Sequence, residues 1–154
     1  MLLKPNAENI CFGCGGANGR GMQLTFEQDD ATRSIRGSFR LGPEYQGGPG
    51  FIHGGIIATV LDEVMGKVSR FRGVHAVTAE LTIEYLKPVV VDTDLVVEGR
   101  EVGMTGRNLH MSGEIRDAAG QILARGKGRF VVVGAKQTAQ QAAPEELAGK
   151  PLQK

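Results

Sequence analysis

The sequence predicts an α+β fold in which a curved antiparallel sheet of five or six strands wraps around one long central helix. Three observations carry this expectation. Between Phe51 and Ser69 the apolar residues Ile56, Ile57, Val60, Leu61, Val64, Met65 and Val68 recur at intervals of three and four, as one buried helix face about four turns long requires. The flanking segments instead alternate apolar with polar residues, the pattern of strands with one face on a core. Helices and strands do not alternate along the chain, which excludes a doubly wound sheet, and there is no internal repeat.

The elements follow in order. Residues 1–21 contain GCGGANGRG and read as an irregular N-terminal segment, residues 22–133 as the folded domain, and residues 134–154 as a flexible tail rich in Ala, Gln, Lys, Glu and Pro. Met22 to Gln28 sets Met22, Leu24 and Phe26 on one face of a first strand; Asp29 and Asp30 turn the chain, and Arg33 to Leu41 completes a hairpin. Gly42 to Gly50, with two prolines and four glycines, is a loop that delivers the chain into the helix. After the helix, Ala76 to Leu86 is a long strand with Val77, Ala79, Leu81, Ile83 and Tyr85 on one face and Thr78, Glu80, Thr82 and Glu84 on the other. Lys87-Pro88 ends its ladder, because proline has no N–H to donate. Asp94 to Val102, Arg107 to Arg116 and Gln121 to Val133 supply three more strands. Such a sheet leaves edges to be covered, so self-association is expected.

Composition narrows the function. The chain of 154 residues has a formal net charge of +1 and no dense basic run, which argues against a nucleic-acid partner. No stretch approaches membrane-spanning length and no secretory leader is visible, so a cytoplasmic protein without a membrane partner is the expectation. Cys11 and Cys14 are the only cysteines. They read first as structural or incidental thiols, then as half of a zinc site, and last as a redox pair, since no second CxxC is present and His53, His75 and His110 lack ligand spacing.

Chemistry concentrates at the helix. His53, Gly54 and Gly55 stand at its start, where the first backbone N–H groups have no intrahelical partner and form a small positive pole. Glycine there admits a ligand atom close to the backbone, an arrangement suited to a carbonyl or oxyanion. Asp62, nine residues after His53, projects away from the apolar stripe and shares a line with the small residues Ala58 and Gly66. Glu63 faces Lys67 at the four-residue spacing of an ordinary surface pair. Tyr45 and Gln46, in the loop ahead of the helix, are candidate substrate contacts. Arg125, Lys127 and Arg129 form a basic stripe on the last strand, read as a solvated face.

The segments GFIHGGIIATVLDEVMG and AVTAELTIEYLKPV, together with the opening CFGCGGANGRGMQLTF, resemble the hotdog-fold acyl-CoA thioesterases, in particular the phenylacetate-degradation and 4-hydroxybenzoyl-CoA type branch. The resemblance runs from Cys11 to Val133, and the interval from HGG to Asp62 is its specific part. It implies hydrolysis of an acyl-CoA thioester to a carboxylic acid and coenzyme A, with no metal or further cofactor. Asp62 becomes the nucleophile or general base, Gly54 the backbone donor to the thioester carbonyl, and Thr78 the holder of the attacking water. His53, Gly55 and Gln46 become substrate-side residues. The resemblance also implies a homodimer or a tetramer, with the active site straddling two subunits. Val64, Met65, Phe71 and Tyr85 would shape the acyl pocket, and Lys87, Arg107, Arg125 and Lys127 would meet the phosphates of coenzyme A. A non-catalytic acyl-CoA-binding module and a hotdog hydratase or dehydratase are the alternatives. Thr78 lies on the polar parity of its strand, so facing the helix requires a bulge or a position at the strand's very beginning.

Overall fold

The computed structural model describes residues 1–135 and Leu152. Seven antiparallel strands form one sheet: β1 (Leu2–Leu3), β2 (Phe26–Asp29), β3 (Ser34–Phe39), β4 (Val74–Tyr85), β5 (Leu95–Thr105), β6 (Asn108–Asp117) and β7 (Ile122–Ala135), in the spatial order β1-β2-β3-β5-β6-β7-β4. One helix, α1 (Gly54–Val68), packs against β3 to β7. A short 3-10 turn over Pro43–Tyr45 precedes it and another over Ser69–Arg72 follows.

The apolar stripe read from the sequence is the core. Ile57, Val60, Leu61, Val64, Met65 and Val68 are each at most 1% exposed. At about 1.5–3 kcal/mol per buried aliphatic side chain, six of them contribute on the order of 10 kcal/mol. That outweighs the roughly 1 kcal/mol each that Gly54, Gly55 and Gly66 cost as helix residues. Partly buried Ile56 packs at the margin of this core.

The sheet receives α1 in a trough of glycines. Gly99 pairs with Gly113 across β5 and β6, and Gly113 with Gly126 across β6 and β7. A Cβ at Gly99 would lie 3.0 Å from the Val64 carbonyl oxygen, one at Gly113 3.3 Å from Leu61 and Met65, and one at Gly126 2.9 Å from Ile83. The three absent side chains let the helix approach the sheet backbone.

Strand boundaries depart from the sequence reading in instructive ways. The sheet has seven strands rather than five or six, because Leu2–Leu3 of the supposedly irregular N-terminal segment pairs with β2. The first expected strand starts only at Phe26: the Met22 and Leu24 N–H groups donate to the Phe12 and Gly13 carbonyls, which diverts this stretch from the ladder. Gly134 and Ala135, expected in the tail, end β7, and the remainder of that tail expectation lies outside the described residues apart from Leu152.

The largest difference concerns the faces of β4. Its pairing with β7 slips between Thr78 and Glu80, with Thr78 opposite Phe130 and Glu80 opposite Arg129, so Ala79 is an extra residue. Directly paired residues in an antiparallel ladder share a face. Thr78 therefore shares the face of buried Phe130, while beyond the bulge Leu81 and Ile83 take the inner face opposite Gly128 and Gly126. The single alternation expected across β4 is two alternations of opposite phase, joined at Ala79.

Candidate active site

At the head of α1 the free donors are nearly all taken. His53 is the N-cap residue, and its Nδ1 accepts the Gly55 N–H at 2.9 Å. The His53 carbonyl accepts from Ile56 at 2.9 Å and Ile57 at 3.1 Å. The Gly54 N–H has no partner among the described residues. The two glycines thus separate: Gly54 presents an open donor, and Gly55 is committed to the cap.

The surrounding loop fixes this end. Gln46 and Ile52 form an isolated bridge, His53 N–H donates to the Tyr45 carbonyl at 2.9 Å, and the Gln46 side-chain oxygen accepts from Gly50 N–H at 3.2 Å. The Tyr85 hydroxyl donates to the Gly54 carbonyl at 2.7 Å, locking the first helical peptide unit from the sheet side. A Cβ at Gly54 would sit 3.4 Å from the Tyr85 ring, an ordinary contact, so packing within the chain does not itself require glycine there. A groove of about 540 Å³ opens here, lined by Phe12, Arg20, Glu44, Tyr45, Gln46, His53, Gly55 and Ile56.

Two turns along the helix, Asp62 accepts a hydrogen bond from the Thr78 hydroxyl at 2.6 Å. The bulge in β4 makes this contact, because it turns Thr78 onto the helix face. A second groove of about 670 Å³ contains both residues together with Asn9, Gly66, Lys67, Arg70, His75 and Phe130. Burial pushes the Asp62 carboxyl above the usual carboxylate range; the Thr78 hydrogen bond pulls it back, and the neighbouring Glu63 charge adds to the rise. A partly desolvated carboxylate beside a hydroxyl is equipped to accept a proton from water or to attack a carbonyl carbon.

The grooves lie apart within the chain. Eight residues separate Gly54 from Asp62, which at about 1.5 Å rise per residue is roughly 12 Å along the helix axis. The structure brings Asp62 and Thr78 together in one groove and His53, Gly55 and Gln46 in the other, while Gly54, between His53 and Gly55, lines neither.

Several expected contacts fall elsewhere. Lys87, Arg107, Arg125 and Lys127 line neither groove, and Arg125 is engaged by Glu84 at 3.0 Å; the basic residues beside Asp62 are Lys67 and Arg70, and Arg20 lines the other groove. Val64 and Met65 are fully buried beneath the helix rather than lining either groove. Glu63 is more than half of a surface pair: it lies 3.7 Å from Lys67 and also accepts from the Cys11 thiol at 3.2 Å. Lys67 donates to the Cys14 sulfur at 3.2 Å. Burial, followed by the hydrogen bond and charge of Glu63, pushes the Cys14 thiol up to about 12, with Lys67 opposing. Sequence reasoning offered Cys11 and Cys14 as half of a zinc site among other readings but missed Glu63, because 52 residues separate Cys11 from it. It also missed the Tyr85 bond to Gly54, made between residues 31 apart in the chain.

A sheet curved around one helix, with an open N–H at the helix head and a carboxylate held by a sheet hydroxyl, defines a hotdog-type α+β domain. Residues 49–124 match the sequence profile of the thioesterase superfamily, and the chain therefore carries a domain of that family. The acyl-coenzyme A thioesterase THEM4 of Xenopus laevis is 30% identical over 99 residues, covering 64% of this chain and 45% of its own length. The chain thus spans less than half of that relative. A crystallised thioesterase superfamily protein superposes with a TM-score of 0.75 at 32% identity, over 79% of this chain and 60% of the other. The protein smu.793 of Streptococcus mutans UA159, solved bound to acetyl CoA, shares the fold with a TM-score of 0.69 at 24% identity, over 74% of this chain and 91% of its own. Among the described residues no helix is long and apolar enough to cross a membrane.

Proposed function

We propose that this chain hydrolyses acyl-CoA thioesters, adding water across the acyl–sulfur bond to give a carboxylic acid and free coenzyme A. The observation that carries the proposal is the 2.6 Å hydrogen bond between Thr78 and Asp62 in a solvent-reached groove of a thioesterase superfamily domain. The S. mutans neighbour that binds acetyl CoA supports the substrate class. In this reading the Gly54 N–H polarises the thioester carbonyl, and Asp62 either takes a proton from a water held by Thr78 or attacks the carbonyl carbon directly. On the general-base route the tetrahedral oxyanion collapses and expels the coenzyme A thiolate, which takes up the proton that Asp62 removed from water. On the direct route the collapse leaves an acyl–Asp62 anhydride, and water hydrolyses it to the acid and the free carboxylate, its proton passing to the thiolate.

A reacting carbon must lie about 3 Å from both the nucleophile and, through its oxygen, the oxyanion donor. A separation of roughly 12 Å along one helix prevents a single chain from meeting that condition. We therefore read the active site as shared, with Asp62 of one subunit facing Gly54 of a second in a homodimer. Release of free thiol from short, long and aromatic acyl-CoAs tests the reading. Turnover by the native protein, reduced about 10³-fold in folded Asp62→Asn, is expected for a catalytic carboxylate. Binding of acyl-CoA without thiol release from either protein overturns hydrolysis in favour of a binding module.

A further inference from the structure

The assembly at Cys11, Cys14 and Glu63 lies beside the catalytic groove and takes no part in the hydrolysis described above. The two sulfur atoms and a carboxylate oxygen all fall within 4.8 Å of one another, and all three side chains are partly buried. Tetrahedral zinc with bonds of about 2.0–2.3 Å places its donors roughly 3.6 Å apart, so small rotations of these side chains close the set around one ion.

The backbone is already arranged for such convergence. The Gly15 N–H closes onto the Cys11 carbonyl at 2.9 Å, and the Asn9 side-chain oxygen holds Cys11 N–H at 2.8 Å. A Cβ at Gly15 would lie 2.5 Å from the Asn9 carbonyl oxygen and Cys11 nitrogen, and one at Gly13 would lie 2.4 Å from Glu63 Cγ. Both glycines are required, one by the turn and one by the carboxylate that enters it. Charge is also balanced. A dication with two thiolates and one carboxylate carries net −1, and the Lys67 ammonium, 3.2 Å from the Cys14 sulfur, brings the cluster to neutrality as an outer-shell donor.

We propose that Cys11, Cys14 and Glu63 bind a zinc-class divalent cation, with solvent as fourth ligand, and that this ion pins the N-terminal segment to α1 one residue from Asp62. Two sulfur donors with one oxygen donor favour zinc over magnesium or calcium. Binding releases the thiol protons to solvent. The segment so anchored includes Asn9, which lines the groove of Asp62.

Titration of the reduced, chelator-stripped full chain with cobalt(II) and then zinc(II) tests the proposal without an activity assay. The expected result is one equivalent of cobalt per chain, a thiolate-to-cobalt charge-transfer band in the near ultraviolet, and displacement of that band by zinc. Cys11→Ser and Cys14→Ser should lose the band, Glu63→Gln should bind at least tenfold more weakly, and Lys67→Met about tenfold more weakly, the usual scale of an outer-shell partner. Absence of the band in the unmutated reduced chain overturns the proposal, and that measurement involves no variant that can misfold. Unchanged affinity in Glu63→Gln, or a Cys11–Cys14 disulfide that persists in glutathione buffer, overturns it equally.

Discussion

The two ends of the candidate site along α1 are built by different means. At Asp62 the chemistry is a contact between side chains from a helix and a sheet, completed within one chain by the β4 bulge. At Gly54 it is a backbone donor left over after the cap residue and its carbonyl have satisfied the neighbouring N–H groups. The first can be removed by trimming a side chain. The second survives most side-chain substitutions and yields only to removal of the N–H itself.

That contrast can be tested in descending order of effect. Asp62→Asn should cost about 10³-fold in kcat, measured as thiol release. It should also raise Tm at neutral pH. A raised carboxyl pKa in the folded state means that ionised Asp62 opposes folding, and its stabilising contribution is present only at low pH, being lost as pH rises through the folded value. The gain from the amide should shrink on acidification and vanish below the ordinary carboxyl pKa; a gain that grows with acid would contradict burial as the cause.

Gly54→Pro removes the open N–H at the first helical position, where proline is tolerated, and the extended His53 backbone at φ −59° and ψ 135° suits a following proline. A loss of about 10²–10³-fold in kcat with unchanged circular dichroism is expected for one oxyanion donor. Reassorting Asp62→Asn with Gly54→Pro chains sharpens the comparison. Random pairing of a shared-site dimer restores about a quarter of native activity, because half the dimers are mixed and each has one intact site. No recovery would place both groups in one chain's site and contradict the shared reading.

Thr78→Val should cost about 10–100-fold, the scale of a hydrogen bond to a charged group. It should also move the acid limb of the pH–rate profile upward, because the Thr78 bond is what lowers the Asp62 pKa. An unmoved limb would separate Thr78 from the titrating carboxylate. His53→Ala should give the smallest effect, about 1 kcal/mol through loss of the cap to Gly55, seen as a fall of a few degrees in Tm.

The sequence made the helix legible because its buried stripe is continuous in period; Ile57 to Val68 needed no tertiary information. The placement of Asp62 away from that stripe, in line with Ala58 and Gly66, was legible from the helix period, while its role as nucleophile or base came from the resemblance. Thr78 was legible only through resemblance, since local alternation gave it the wrong face. A bulge leaves no residue-type mark when the inserted residue is an alanine among alternating partners. The Cys11, Cys14 and Glu63 assembly was opaque for another reason: its members meet through the return of the N-terminal segment onto α1, which no local period encodes. The division between Gly54 and Gly55 was equally hidden, because it turns on which N–H the His53 ring accepts.

The row Gly99, Gly113, Gly126 has a bearing on substrate size. With the helix seated directly on strand backbone, the space between helix and sheet is filled by the buried side chains of Leu61, Val64 and Met65. On the proposed reading, an acyl tail bound at Asp62 would run outward along the groove, past Gly66 and Phe130, toward the second subunit of the proposed dimer. Chain-length preference on that reading would be a ruler laid between subunits rather than a depth gauge in the core. Changing it calls for edits at the groove rim, while enlarging the core would only loosen the fold.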